Sequence, residues 1–171
     1  MPGFRLTKYN PSLRAENGAY SRVEWTSISD VGTAYASGTF THEEYLTVEA
    51  AYLETIRGFM AAANVESLRV CSLETDSDAL HSEAVRKVAP HIHSLREGTI
   101  VSGIQVDEIA RLNLRELLWC RLAGDHEFHV HFGYDYYMYI GTSLPGFMLP
   151  ALPPLMFAEP VESPYLLEEE L

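Results

Sequence analysis

The sequence predicts an α+β domain: a small antiparallel sheet that includes a hairpin in the C-terminal half, packed against helices, with a Pro-rich extended tail. Three observations predict it. Residues 41–64 repeat apolar side chains every three and four positions behind a Thr41/Glu44 capping pair. Residues 126–141, "HEFHVHFGYDYYMYIG", alternate apolar and polar side chains on both sides of a Gly-Tyr-Asp break. Residues 144–171 hold six of the nine prolines, which excludes central strands and helix interiors there. A length of 171 residues fits one domain, and 47% hydrophobic content supports a real core. The expected division is one α+β domain over 1–143, with 144–171 as an apolar, Pro-rich tail packed on it.

Residues 1–20 are polar with Pro and Gly and read as an irregular lead-in. They lack an apolar core segment, so no signal peptide is expected. "SRVEWTSIS" (21–29) roughly alternates and suits a strand, followed by a loop containing Gly32 and Gly38. The helix over 41–64 turns Tyr45, Val48, Tyr52, Ile56, Phe59 and Ala63 to one face and stops at Asn64. "SLRVCSL" (67–73) reads as a buried strand. A second helix is expected over 77–98, kinked or split by Pro90 and ended by Gly98. Residues 99–113 are ambiguous. "NLRELLWCRLAG" (113–124) reads as a helix with Asn113 as N-cap, Glu116 three residues on and Gly124 as stop. In the tail, Leu149, Leu152, Leu155 and Phe157 are too apolar for a solvated linker and should be buried. A partner-binding arm is the alternative.

The stretch 126–141 holds three histidines, four tyrosines and one aspartate. Folded around Gly133-Tyr134-Asp135, it sets Phe132 opposite Tyr136, Val130 opposite Met138 and Phe128 opposite Ile140. His131 then faces Tyr137, and His129 faces Tyr139. The competing reading is a metal site on His129-x-His131. A catalytic zinc needs three protein ligands. Glu127 has the right parity, but residues four apart along a strand are separated by about 13 Å. No HExxH motif supplies another ligand. No metal and no cofactor are therefore expected, with His129 and His131 the alternative ligands.

Other chemistry is thinner. GxSxG, P-loop and GxGxxG motifs are absent. "LETDSD" (73–78) suits a capped strand-to-helix turn better than a calcium loop. The pairs Glu43/Glu44 and Asp107/Glu108 fit first helical turns. No catalytic residues are assigned, and an enzyme is not expected. Cys71 and Cys120 have no zinc or redox spacing and read as reduced thiols of a cytoplasmic protein. No run of about 18 apolar residues is present to span a membrane. The formal net charge of −12 repels nucleic acid and anionic membranes and attracts basic partners, although it also serves solubility alone.

"EWTSISDVG" (24–32), "EEYLTVEAAY" (43–52) and "LNLRELLWCRL…FHVHFGYDYYMYIG" (112–141) together resemble immunity proteins of bacterial contact-dependent and polymorphic toxin systems. The resemblance implies a small bacterial cytoplasmic protein that binds one cognate toxin domain and blocks its active site or substrate access. The toxin domain is expected to be basic. From the residues, the partner-binding candidates are Tyr134, Tyr137 and Tyr139 as aromatic anchors, with Asp125, Glu127 and Asp135 around them. The alternatives are a metal-dependent enzyme built on the His-x-His strand, or an adaptor whose tail docks a partner.

Overall fold

The computed structural model describes residues 3–75 and 79–166. Its elements, in chain order, are β1 (Gly3–Thr7), β2 (Ala34–Tyr35), β3 (Gly38–Thr39), α1 (His42–Ala62), β4 (Ser67–Glu74), α2 (Glu83–Val88), β5 (Ile100–Ser102), α3 (Ile104–Leu114), β6 (Trp119–Ala123), β7 (His129–Phe132), β8 (Met138–Gly141) and β9 (Phe157–Glu159). Among the described residues, seven strands form one sheet in the order β5-β4-β6-β7-β8-β1-β9, and β2 and β3 pair separately. Every ladder is antiparallel. The protein is thus α+β, with a sheet larger than the sequence indicated.

One face of the sheet carries Leu6, Leu68, Val70, Leu122, Val130 and Ile140, all fully buried. The helices cover this face. α1 starts with the expected capping box, in which Glu44 N–H donates to Thr41 Oγ1 and Thr41 N–H donates to Glu44 Oε2. Its buried Tyr45, Tyr52, Ile56 and Phe59 join the core, and Asn64 beyond its end has the left-handed φ of 54°. α1 and α3 are tied together through Glu49, which accepts from Arg115 at 2.6 and 2.7 Å. Among the described residues no helix is long and apolar enough to cross a membrane.

Several segments depart from their sequence pattern. Residues 1–20 do not remain irregular: β1 is an interior strand between β8 and β9, pairing Gly3 with Gly141. Local composition carries no signal for a partner that far along the chain. Residues 21–29 are not a strand. Asp30 Oδ2 accepts from the Thr26 and Ser27 N–H groups and closes a short 3₁₀ turn at Ile28–Asp30. The loop after it holds the small β2–β3 ladder. The helix expected over 77–98 is α helix only at Glu83–Val88, ending just before Pro90, whose ring excludes a helical predecessor. Asp76–Asp78 lie outside the described residues.

Residues 113–124 are not a helix either. Asn113 closes α3 instead of opening a new helix. Its Oδ1 accepts from Cys120 N–H at 2.9 Å, and its Nδ2 donates to Ile109 O at 3.0 Å. The chain turns at Glu116 (φ 57°) and continues as β6, with Leu118, Cys120 and Leu122 alternating inward. The hairpin forms, but in a register shifted by two: Phe132 pairs with Met138, Val130 with Ile140 and His131 with Tyr139. An even shift keeps every side chain on its expected face.

In the tail, β9 extends the sheet beside β1, and Pro153 and Met156 are buried. Leu152 and Phe157 are half-buried, but Leu149 and Leu155 are exposed, contrary to expectation. Leu155 sits in a left-handed turn at φ 72°, which rotates it away from the domain.

Candidate functional site

The β7–β8 turn is built to present one aromatic ring. Gly133 N–H donates to Tyr137 O at 2.8 Å, and Tyr137 N–H donates back to Tyr134 O at 3.1 Å. Asp135 and Tyr136 both take left-handed φ values, 55° and 62°. That conformation is unfavourable for Tyr136, and packing holds it there: its ring contacts Trp25 at 5.0 Å and Tyr52 at 4.8 Å. Hydroxyls from two other elements pin the turn backbone. Tyr9 donates to Asp135 O at 2.9 Å, and Tyr52 donates to Tyr136 O at 2.5 Å. At its apex Tyr134 is 88% exposed.

Beside this turn lies a cleft of about 630 Å³. Its walls come from the end of β4 (Glu74), the end of α3 and the connection after it (Asn113, Glu116, Leu118), the start of β6 (Trp119), the turn itself, Thr26–Ser27 and Tyr165. Glu74 and Trp119 are cross-strand partners, and the Trp119 ring lies 5.7 Å from that of Tyr165. Trp119 Nε1 donates to Phe132 O at 2.8 Å, which fixes the indole. Glu74, Glu116 and Asp135 are exposed. No lysine or arginine is among the described residues that line the cleft. The arrangement suits a cationic, partly apolar ligand. The one serine among its described lining residues, Ser27, has an Oγ that caps the Ser29 N–H.

The sequence-predicted residues do not form one patch. Tyr134 and Asp135 border the cleft and are exposed. Asp125 and Glu127 are exposed too, but sit in the β6–β7 connection at the other end of β7. Tyr137 also lines the cleft, but it and Tyr139 are half-buried and engaged. Arg14 donates to Tyr137 Oη at 3.2 Å, and Tyr139 packs on Tyr165. Of the cleft residues, Glu74, Glu116, Trp119 and Tyr165 were missed by sequence reasoning. Glu116 and Trp119 were absorbed into a helix that does not form. The alternation of Leu118, Cys120 and Leu122 was the available signal for a strand.

His129 and His131 lie on the sheet face away from the helices, the face covered by residues 157–166, which form a strap. A single row of register partners crosses that face: Glu159, Arg5, Tyr139, His131. The two imidazoles stack at 4.7 Å and are both buried. Ser163 Oγ accepts from Tyr165 N–H and lies in hydrogen-bond contact with His131 Nδ1 at 2.7 Å. This is a serine–histidine contact, but Ser163 is itself buried and caps the last turn of the strap. Among the described residues no group of three or more His, Cys, Asp or Glu is placed to hold one metal ion.

Burial, the neighbouring His129 and the Arg121 charge push the His131 pKa down to about 3. The folded protein therefore refuses a proton that the unfolded chain accepts below about 6.5. Stability should fall as pH drops from about 6.5 towards 3, by about 1.4 kcal/mol per unit from this group. Urea unfolding of wild type and His131→Gln across pH 7 to about 4.5 checks it. The variant should flatten the slope, and an unchanged slope would assign the acid lability elsewhere.

Comparison with protein-family models, with curated proteins and with solved structures returns no match to this chain.

Proposed function

We propose that this protein is a binding module that neutralises a basic bacterial toxin domain in the cytoplasm, an immunity protein that covers its target's active site. The observation that carries the reading is Tyr134. A tyrosine ring left 88% exposed on a turn pinned by two buried hydroxyls has no role in the fold. Aromatic rings that are rigid before binding lose little entropy on contact and make strong interface anchors. The acidic cleft beside it and the net charge of −12 favour a basic partner and accelerate its approach. The resemblance noted in the sequence points to the same class of protein. The His129/His131 pair supports catalysis poorly, because the strap seals it.

The test is rescue of growth. The adjoining gene is expected to encode a toxin domain that, expressed alone, arrests bacterial growth, and co-expression of this chain should restore it. Arrest that persists at equal expression removes the reading. In binding kinetics Tyr134→Ala should weaken the complex by about 2 kcal/mol, roughly 30-fold, mostly through faster dissociation. Asp135→Asn removes the charge while tolerating the left-handed backbone, and should slow association at low salt only. If both variants bind as wild type does, the turn is not the contact.

A further inference from the structure

We propose that the cleft between the β7–β8 turn, β4 and β6 is a receptor for a guanidinium group, an arginine side chain presented by a basic protein partner. The inference rests on the binding reading above and assigns the chemistry of the partner's anchor. The first support is the composition of the cleft. Three exposed carboxylates, Glu74, Glu116 and Asp135, line the same cleft as the aromatic rings of Trp119 and Tyr134. None of the three makes an ion pair among the described residues. Like charges gathered without a counter-charge repel one another, and an incoming cation removes that repulsion.

The second support comes from the molecule's own use of the same chemistry nearby. The Lys8 ammonium is held 4.2 Å over the Trp25 ring, 4.0 Å over the Tyr9 ring and 3.5 Å from Glu24 Oε2. Tryptophan, tyrosine and carboxylate thus already form an occupied cation cage in this fold. The cleft repeats those three groups around a volume of about 630 Å³, and no lysine or arginine among the described residues lines it. The site differs from the Lys8 cage in having carboxylates on three separate elements. A guanidinium, with five donors in a planar fork, can engage more than one of them while stacking on an indole. A compact ammonium, with three donors on one nitrogen, spans carboxylates on separate elements less well.

The full-length protein, labelled with nitrogen-15, is titrated with tetra-arginine amide, with tetra-lysine and tetra-glutamate as controls. Trp119 and Trp25 are the only two tryptophans, so two indole N–H signals report. Tetra-arginine should move the Trp119 signal saturably and leave Trp25 in place. Tetra-lysine should bind more weakly, and tetra-glutamate should not bind. The double variant Glu74→Gln, Glu116→Gln changes two exposed side chains isosterically, and should keep the melting temperature and lose about tenfold in affinity. No saturable Trp119 shift, or a double variant that titrates like wild type, overturns the proposal. Tetra-lysine binding as tightly as tetra-arginine overturns the guanidinium assignment. A chain that binds tetra-arginine but gives no growth rescue supports the cleft and removes the toxin reading. A chain that rescues without the Trp119 shift does the reverse.

Discussion

Replacing Arg115 with Met is expected to lower the free energy of unfolding by about 3 kcal/mol. Glu49 sits on α1 with only 3% of its surface exposed. Its carboxylate is held by the forked guanidinium of Arg115, just beyond the end of α3, and by Arg111 Nε at 3.5 Å. Methionine keeps the aliphatic stem and removes the charge, so the loss reflects a buried carboxylate left with only the longer Arg111 contact more than lost packing. The reverse variant, Glu49→Leu, should be milder, because the Arg115 side chain is 22% exposed and can hydrate in place. Urea denaturation of both variants and the double variant measures this asymmetry. Two equal losses below about 1 kcal/mol would show that the clamp is a surface pair.

Ending the chain after Met156 should have a still larger effect, at least about 4 kcal/mol. Residues 157–166 cover the second face of the sheet. Glu159 accepts four charge-assisted hydrogen bonds of 2.9–3.1 Å, two from Arg5 and two from Arg14. Arg121 donates to Tyr165 O at 2.8 Å, and Ser163 meets His131. Truncation leaves these buried or half-buried groups without their partners and opens the edge of β1. Glu159→Ala alone should give about 3 kcal/mol of the loss. Acid should act on the same latch. Burial alone would raise the Glu159 pKa, but the Arg14 and Arg5 hydrogen bonds outweigh it and hold the carboxyl below its usual range. A lowered folded pKa means stability that is present above about 4.5 and is lost below it, overlapping the acid end of the His131 window. An unchanged melting temperature after truncation would mean the strap contributes nothing to the fold and would favour its use as a free arm.

The hairpin and α1 were legible in the sequence because both rest on near neighbours. Thr41 and Glu44 cap within one turn, and the alternation in 128–132 and 138–140 fixes which face each side chain takes. That pattern survived even a two-residue register error, since strand faces repeat with period two. The candidate site was legible only in part. Tyr134 and Asp135 stand in a turn whose residues name it, but Glu74, Glu116, Trp119 and Tyr165 converge from four places. Sequence by itself determined the fold class, the helix that covers the sheet, the inward face of the hairpin and the acidic charge. Tertiary structure decided the rest. It made "GFRLT" an interior strand by pairing it with residues near 140 and 158, and it turned Asn113 from a cap into a bridge to Cys120. It also placed His129 and His131 beneath the strap and left Tyr134 outside. Apart from the Asn113–Cys120 bridge, those outcomes depend on contacts between residues far apart in the chain, whose energies no local pattern encodes.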